Sequence, residues 1–170
     1  MTKSKNLIVR QARSDEMDQV ASVLKAAYQE YEKTLPPQAW ESYLEDIMDV
    51  RSRLPEAELI VAELNGRLTG TVTLYLNSSE SADSVWPKGW AGIRLLGVHP
   101  DYRGYGVGQA LMDYCIRRCR ELGIKTIGLH TTSFMEIARG MYERMGFVRM
   151  PQYDFHPRPG AVVMAYRLDL

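Results

Sequence analysis

The sequence predicts an α/β fold with a mixed central sheet of about seven strands and about four flanking helices, in one domain over residues 1–170. Three observations carry this. Short β-branched runs alternate with longer amphipathic runs, in the order β-α-α-β-β-β-α-β-α-β-β. Asn65-Gly66 stands between two apolar runs, a two-residue hairpin signal. A glycine-rich turn joins a strand to an amphipathic helix within residues 93–122.

Leu7 to Gln11 is a short β-branched run and reads as the first strand. Ser14 then reads as a helix N-cap, with Asp15 and Glu16 in the first turn. Met17, Val20, Leu24, Ala27, Tyr28 and Tyr31 recur at helical spacing. Pro36 and Pro37 break the chain and start a second helix, whose stripe is Trp40, Tyr43, Leu44, Ile47 and Val50. Pro55 ends this region. Leu59 to Ala62 and Leu68 to Leu76 are the strands on either side of the Asn65-Gly66 turn.

The polar stretch Asn77 to Gly89 reads as a loop, and Ile93 to Val98 as the next strand. Val107 to Leu122 carries apolar residues or cysteine at helical spacing, and Gly123 stops it. Thr126 to His130 is a strand. Ser133 and Glu136 have the S-x-x-E spacing of a capping box. The helix they open carries Ile137, Ala138, Met141, Tyr142 and Met145, and Gly146 ends it. Phe147 to Met150 and Ala161 to Leu168 are the last strands.

Charge narrows the range of partners. The 21 basic and 21 acidic residues cancel, so there is no basic excess to attract nucleic acid or an anionic membrane. Arg117, Arg118 and Arg120 read as the solvated side of their helix. No apolar run approaches the roughly 20 residues of a membrane span, and Met1 to Arg10 holds no signal-peptide core. The expectation is a cytoplasmic protein. Cys115 and Cys119 lie at i and i+4 on one helix, poor geometry for a disulfide, so both read as buried free thiols. Neither they nor other residues form a metal motif.

The segment Arg103-Gly104-Tyr105-Gly106-Val107-Gly108 carries the chemistry. Alternate glycines let the backbone bend and turn its N–H groups one way. The helix that follows adds unpaired N–H groups and the positive end of its dipole. Together these form an anion site suited to phosphates, and Arg103 adds a formal charge. The spacing G-x-G-x-G departs from the dinucleotide fingerprint G-x-G-x-x-G, and Gly108-Gln109 does not supply the end of a Walker A loop. What remains is R-x-x-G-x-G, a weak pattern alone.

Two longer stretches add specificity: L-L-G-V-H-P-D-Y-R-G-Y-G-V-G-Q-A-L at 95–111 and A-R-G-M-Y-E-R-M-G-F at 138–147. With these and the element order, the sequence resembles the GNAT superfamily of N-acetyltransferases. The resemblance implies acetyl-CoA as co-substrate and a primary amine, on a small molecule or a protein, as acceptor. It implies that the strand before the turn is bulged and that pantetheine lies along Leu96, Gly97 and Val98. Pyrophosphate is expected on the backbone of Arg103, Gly104, Tyr105, Gly106, Val107, Gly108 and Gln109. The Thr132 hydroxyl, Ala138 and Tyr142 complete the coenzyme-binding set.

Acetyl transfer to nitrogen needs a deprotonated amine, a stabilised oxyanion and a proton for the leaving thiolate. A backbone N–H near Leu96 to Val98 is the expected oxyanion donor. Tyr142 matches the family's acid, and a phenol stays protonated at neutral pH. Some relatives place a carboxylate on the strand before the turn, where this chain has Arg94. The base is then a water chain to bulk or a side chain from elsewhere, with Glu30, His130, Asp154 and His156 as the candidates. The first two helices and the late strands are the expected acceptor walls. The resemblance leaves a homodimer open, and a non-catalytic acyl-CoA-binding module is the alternative reading.

Overall fold

A computed structural model describes residues 6–80 and 84–170. Expectations that fall on residues 1–5, or on 81–83 within the long polar loop, lie outside the described residues. The strands are β1 Leu7–Gln11, β2 Glu58–Leu64, β3 Arg67–Tyr75, β4 Ala91–Val98, β5 Thr126–Thr131, β6 Val148–Arg149 and β7 Met164–Asp169. The helices are α1 Met17–Tyr28, α2 Pro37–Met48, α3 Val107–Glu121 and α4 Glu136–Arg144. The strand order is β1-β2-β3-β4-β5-β7-β6. The β4–β5 pair is parallel, while β1–β2, β5–β7 and β6–β7 are antiparallel. The predicted α/β class, strand count and element order therefore hold.

The chain packs as two compact units, Met1–Thr73 with Leu95–Tyr114, and Leu74–Arg94 with Cys115–Leu170. In the first, α1 buries Val20, Leu24, Ala27 and Tyr28, and β2 buries Leu59 to Ala62. Asn65 and Gly66 both have positive φ (53° and 83°), the backbone of the twisted hairpin turn that asparagine and glycine favour. In the second unit, antiparallel β5–β7 runs from Thr126 opposite Asp169 to Thr131 opposite Met164. Cys115 and Cys119 are free and buried.

Two helix starts differ from expectation. Ser14 does not cap α1. Ser14–Glu16 forms a single 3₁₀ turn, and the cap is supplied by Glu16, whose carboxylate accepts the Arg13 N–H at 2.9 Å. Glu16 is drawn inward because Arg10 grips it at 2.6 and 3.0 Å. The Ser133–Glu136 capping box is also absent. Met135 N–H closes a turn on the Thr132 carbonyl at 3.2 Å, so Glu136 becomes the first helical residue rather than the third. The helix stops hold. Gly123 and Gly146 have φ of 74° and 98°. Ile124 N–H returns to Cys119, and Phe147 N–H to Tyr142, as glycine-ended helices require.

Candidate active site

β4 is not a regular strand. Leu95 has φ of +55°, a conformation that costs a branched residue on the order of 1 kcal/mol or more. The parallel register with β5 covers Ala91 to Ile93 opposite Ile127 to Leu129, ending two residues earlier. The irregularity at Leu95 falls on the strand where the resemblance implies a bulge, just before the stretch named from sequence. Past it, His99 N–H bonds the Thr69 carbonyl at 2.8 Å, so His99 and Gly97 address β3. By the two-residue alternation of a strand, Leu96 and Val98 point their N–H and C=O groups to the other edge.

Two glycines position this segment between helices. A Cβ on Gly97 would lie 3.1 Å from Ala27 Cβ and 3.3 Å from Leu24 Cδ2, so α1 rests directly on β4. A Cβ on Gly70 would lie 2.7 Å from Val107 Cγ1 and 3.0 Å from Leu111 Cδ1, so the first turn of α3 rests directly on β3.

The sequence places its expected anion site at that first turn. Gly104 and Gly106 have φ of 84° and 80°, and no atom lies within 4 Å of where their Cβ atoms would stand. Ala110 N–H bonds the Gly106 carbonyl at 3.0 Å, the first bond of the helix. The N–H groups of Val107, Gly108 and Gln109 therefore precede the helical ladder. The Gln109 side chain turns along the helix to Asp113 at 2.9 Å, leaving its backbone as the group facing the turn. The Arg103 guanidinium is committed to α1. It bonds the Ala27 carbonyl at 3.0 Å and pairs with Glu30 at 3.1 Å.

The remaining expected residues lie in the second unit. Tyr142, 6% exposed on α4, packs its ring at 5.8 Å from Phe147. Ala138 lies one turn earlier on the same helix, half-buried. Thr132 follows β5, and its buried Oγ1 has no hydrogen-bond partner among the described residues. A buried hydroxyl without a partner is costly, so it fits a polar ligand group.

The candidate bases are mostly occupied. Asp154 is held by Arg149 at 2.6 Å and by Ala165 N–H at 2.7 Å, and Arg149 pulls its carboxyl below the usual range. Glu30 is paired with Arg103. His156 bonds the Ala161 carbonyl of its own loop at 3.0 Å. His130 bonds the Tyr153 carbonyl at 2.8 Å, and its ring lies 4.6 Å from Trp86 and 4.9 Å from Phe155. Burial pushes its imidazole below the ordinary value. Trp86 itself lies on the sheet, since a Cβ on Gly128 would stand 2.7 Å from its ring. The Trp86, Trp90 and Tyr153 rings form one packed cluster with His130. A cleft of about 610 Å³ in this unit, lined in part by Lys88, Trp90, Leu122 and Lys125, contains none of the expected coenzyme-binding residues.

A sequence model described as the Acetyltransferase (GNAT) family matches residues 18–147. The chain belongs to this acetyltransferase family. It is 33% identical over 140 residues to a mycothiol acetyltransferase of Propionibacterium freudenreichii subsp. shermanii, covering 79% of this chain and 41% of that protein. A mycothiol acetyltransferase of Cellulomonas flavigena is 33% identical over 107 residues, covering 59% of this chain and 31% of that protein. The chain thus spans less than half the length of these relatives. Among solved structures, the PaiA N-acetyltransferase of Thermoplasma acidophilum in complex with coenzyme A has the same fold. It superposes with a TM-score of 0.76 at 14% identity, over 97% of this chain and 99% of that one. A GNAT acetyltransferase of Brucella melitensis with acetyl-CoA gives 0.61 at 21% identity, over 84% and 83%.

Sequence reasoning missed two residues that contact the segments it named. Tyr28, read from sequence as part of the apolar stripe of α1, donates its hydroxyl to the Leu96 carbonyl at 2.8 Å. Nothing local announces that contact. Gly70 did carry a signal, because an isolated glycine inside a strand marks close backbone approach.

Proposed function

We propose that this chain is one N-acetyltransferase domain that moves the acetyl group of acetyl-CoA to a primary amine, by direct attack in a ternary complex. The observation that carries the reading is the first turn of α3. Its Val107, Gly108 and Gln109 amides precede the helical ladder, and the glycine turn leads to them from a strand that is irregular at Leu95. Backbone amides at a helix N-terminus bind phosphate oxygens without a lysine. Gly104 to Gln109 would hold the pyrophosphate, Leu96 to Val98 the pantetheine amides, and Thr132 Oγ1 a polar atom of the same arm. Ala138 packs on the coenzyme from α4.

In the reaction the amine nitrogen bonds the acetyl carbon, and the carbon–sulfur bond breaks. A backbone N–H near Leu96 to Val98 stabilises the oxyanion, a contribution of roughly 3–4 kcal/mol for one such donor. Tyr142 gives its proton to the leaving sulfur. The amine proton leaves to solvent, because Asp154 and Glu30 are already paired, and solvent returns a proton to the Tyr142 phenolate. That same shortage of bases, with Arg94 exposed on β4, favours a second reading, a domain that binds acyl-CoA without turnover.

A thiol-release assay with acetyl-CoA and an amine panel separates the two. The panel includes an amine precursor of mycothiol, given the relatives' name. Tyr142→Phe is expected to lower turnover roughly a hundredfold, as for loss of a general acid, while coenzyme affinity stays near wild type. Tight coenzyme binding with no amine-dependent release rejects the enzyme, and unchanged turnover in Tyr142→Phe rejects its acid role.

A further inference from the structure

Tyr28 ends α1. It is 7% exposed, and its ring packs edge-on against Tyr31 and Tyr43, each at 5.9 Å. A phenylalanine would serve that packing. The hydroxyl does something else, since it donates to the Leu96 carbonyl at 2.8 Å. Leu96 directly follows the left-handed Leu95, and its backbone groups point to the edge of β4 turned away from β3. One residue's N–H and C=O share an edge in a strand, so a tether on the carbonyl also sets where the Leu96 N–H points.

We infer that Tyr28 is a positioning residue for acyl transfer: its hydroxyl pins the Leu96 backbone and thereby aims the amide that meets the thioester oxygen. This rests on the reading above, in which Leu96 to Val98 hold the acyl-pantetheine arm. Position matters here because an oxyanion donor acts only within hydrogen-bond distance of the developing charge. The left-handed Leu95 backbone persists only where its surroundings over-determine it. The Tyr28 hydroxyl is one of those restraints, acting one residue further on.

The other ties of α1 to this segment do not involve the hydroxyl. Ala27 and Leu24 press on Gly97, and Arg103 bonds the Ala27 carbonyl and Glu30. Removing the oxygen therefore leaves the pyrophosphate end and the packing in place. The expected signature is a split between binding and turnover.

The experiment compares wild type and Tyr28→Phe in four measurements: thermal midpoint, CoA affinity by calorimetry, kcat for acetyl-CoA, and the pH profile of kcat. Tyr28→Phe is expected to keep CoA affinity within about twofold and the midpoint within a few degrees. Its kcat is expected to fall about tenfold, the size of one hydrogen bond, with an unchanged pH profile. Unchanged kcat overturns the assignment and leaves the parent reading standing. A lower midpoint with a parallel loss of CoA affinity makes Tyr28 merely structural and also overturns it. A shifted pH profile makes it an acid or base and overturns it too. Wild type that releases no thiol from acetyl-CoA with any amine sinks the parent reading and this one together.

Discussion

Replacing Gly70 by alanine tests whether close packing of α3 on β3 sets the amide site. The new methyl would stand 2.7 Å from Val107 Cγ1, 3.0 Å from Leu111 Cδ1 and 3.2 Å from the Gly97 carbonyl oxygen. Carbon atoms rest at about 3.5–4.0 Å, so the neighbours must retreat by roughly 1 Å. Val107 and Leu111 are 2% and 0% exposed, which leaves them little room to turn aside alone. The retreat therefore carries the start of α3 with it. Overpacking of this kind costs about 1–3 kcal/mol. For a chain of this length that lowers the thermal midpoint by roughly 2–12 °C. Val107 is also the first residue of α3, so its N–H and those of Gly108 and Gln109 move with it. Losing one hydrogen bond to a charged phosphate is worth about 1.5–3 kcal/mol, which weakens CoA binding roughly ten- to a hundredfold. Midpoints by calorimetry and CoA titration read both effects. Val107→Ala removes the clashing methyl, so the double variant should recover part of each loss, with a coupling of about 1 kcal/mol. Wild-type midpoint and affinity in Gly70→Ala, or strict additivity with Val107→Ala, would refute the argument.

Two further predictions concern pH. Glu16 is 4% exposed and its carboxyl is held at about 2 against an ordinary 4.5, chiefly by the Arg10 guanidinium. A depressed acid stabilises the fold above its unfolded pKa, so this contribution, of about 3 kcal/mol, is lost as pH falls from about 4.5 towards 2. Thermal midpoints across that range should drop steeply in wild type and less in Glu16→Gln; parallel curves would contradict the assignment. His130 is lowered first by burial and further by Arg94, while the Tyr153 carbonyl and Asp154 oppose the shift. A depressed histidine stabilises the fold above its unfolded value near 6.5, and the contribution fades as pH falls below it. An NMR titration should show the His130 ring staying neutral below pH 6.5, and a midpoint at or above 6.5 would reject the buried, carbonyl-bonded placement.

Local signals were legible because their causes are local. Asn65-Gly66 adopts the positive φ pair its two residue types favour, and Pro37 begins α2 because its fixed φ suits a first helical position. Gly104, Gly106 and Gly123 likewise take left-handed backbone where the sequence placed turns. The helix starts failed where a neighbouring contact displaced the expected cap. Ser14 lost to Glu16 because Arg10, on β1, holds the Glu16 carboxylate, and Glu63 on β2 bonds the same guanidinium. Ser133 lost because the chain leaves β5 through its own turn at Thr132. Tyr28 and Leu96 are 68 residues apart, and no spacing rule joins them.

The charge of Arg103 shows how such long-range pairing alters a functional reading. In sequence, the residue opens R-x-x-G-x-G and counts as a cation for phosphate. In the structure it is paired with Glu30, and both side chains are partly solvated, 35% and 46% exposed. The pair contributes little net charge to the turn, and salt screens what remains. In the proposed reading, attraction for a pyrophosphate would therefore fall to the amides of Val107, Gly108 and Gln109 and to the dipole of α3. Arg103 acts instead on geometry. Its guanidinium ties the turn to the Ala27 carbonyl, one residue before the tyrosine that holds Leu96. The end of α1 thus contacts both the glycine turn and β4, where Gly97 packs closely against Ala27 and Leu24.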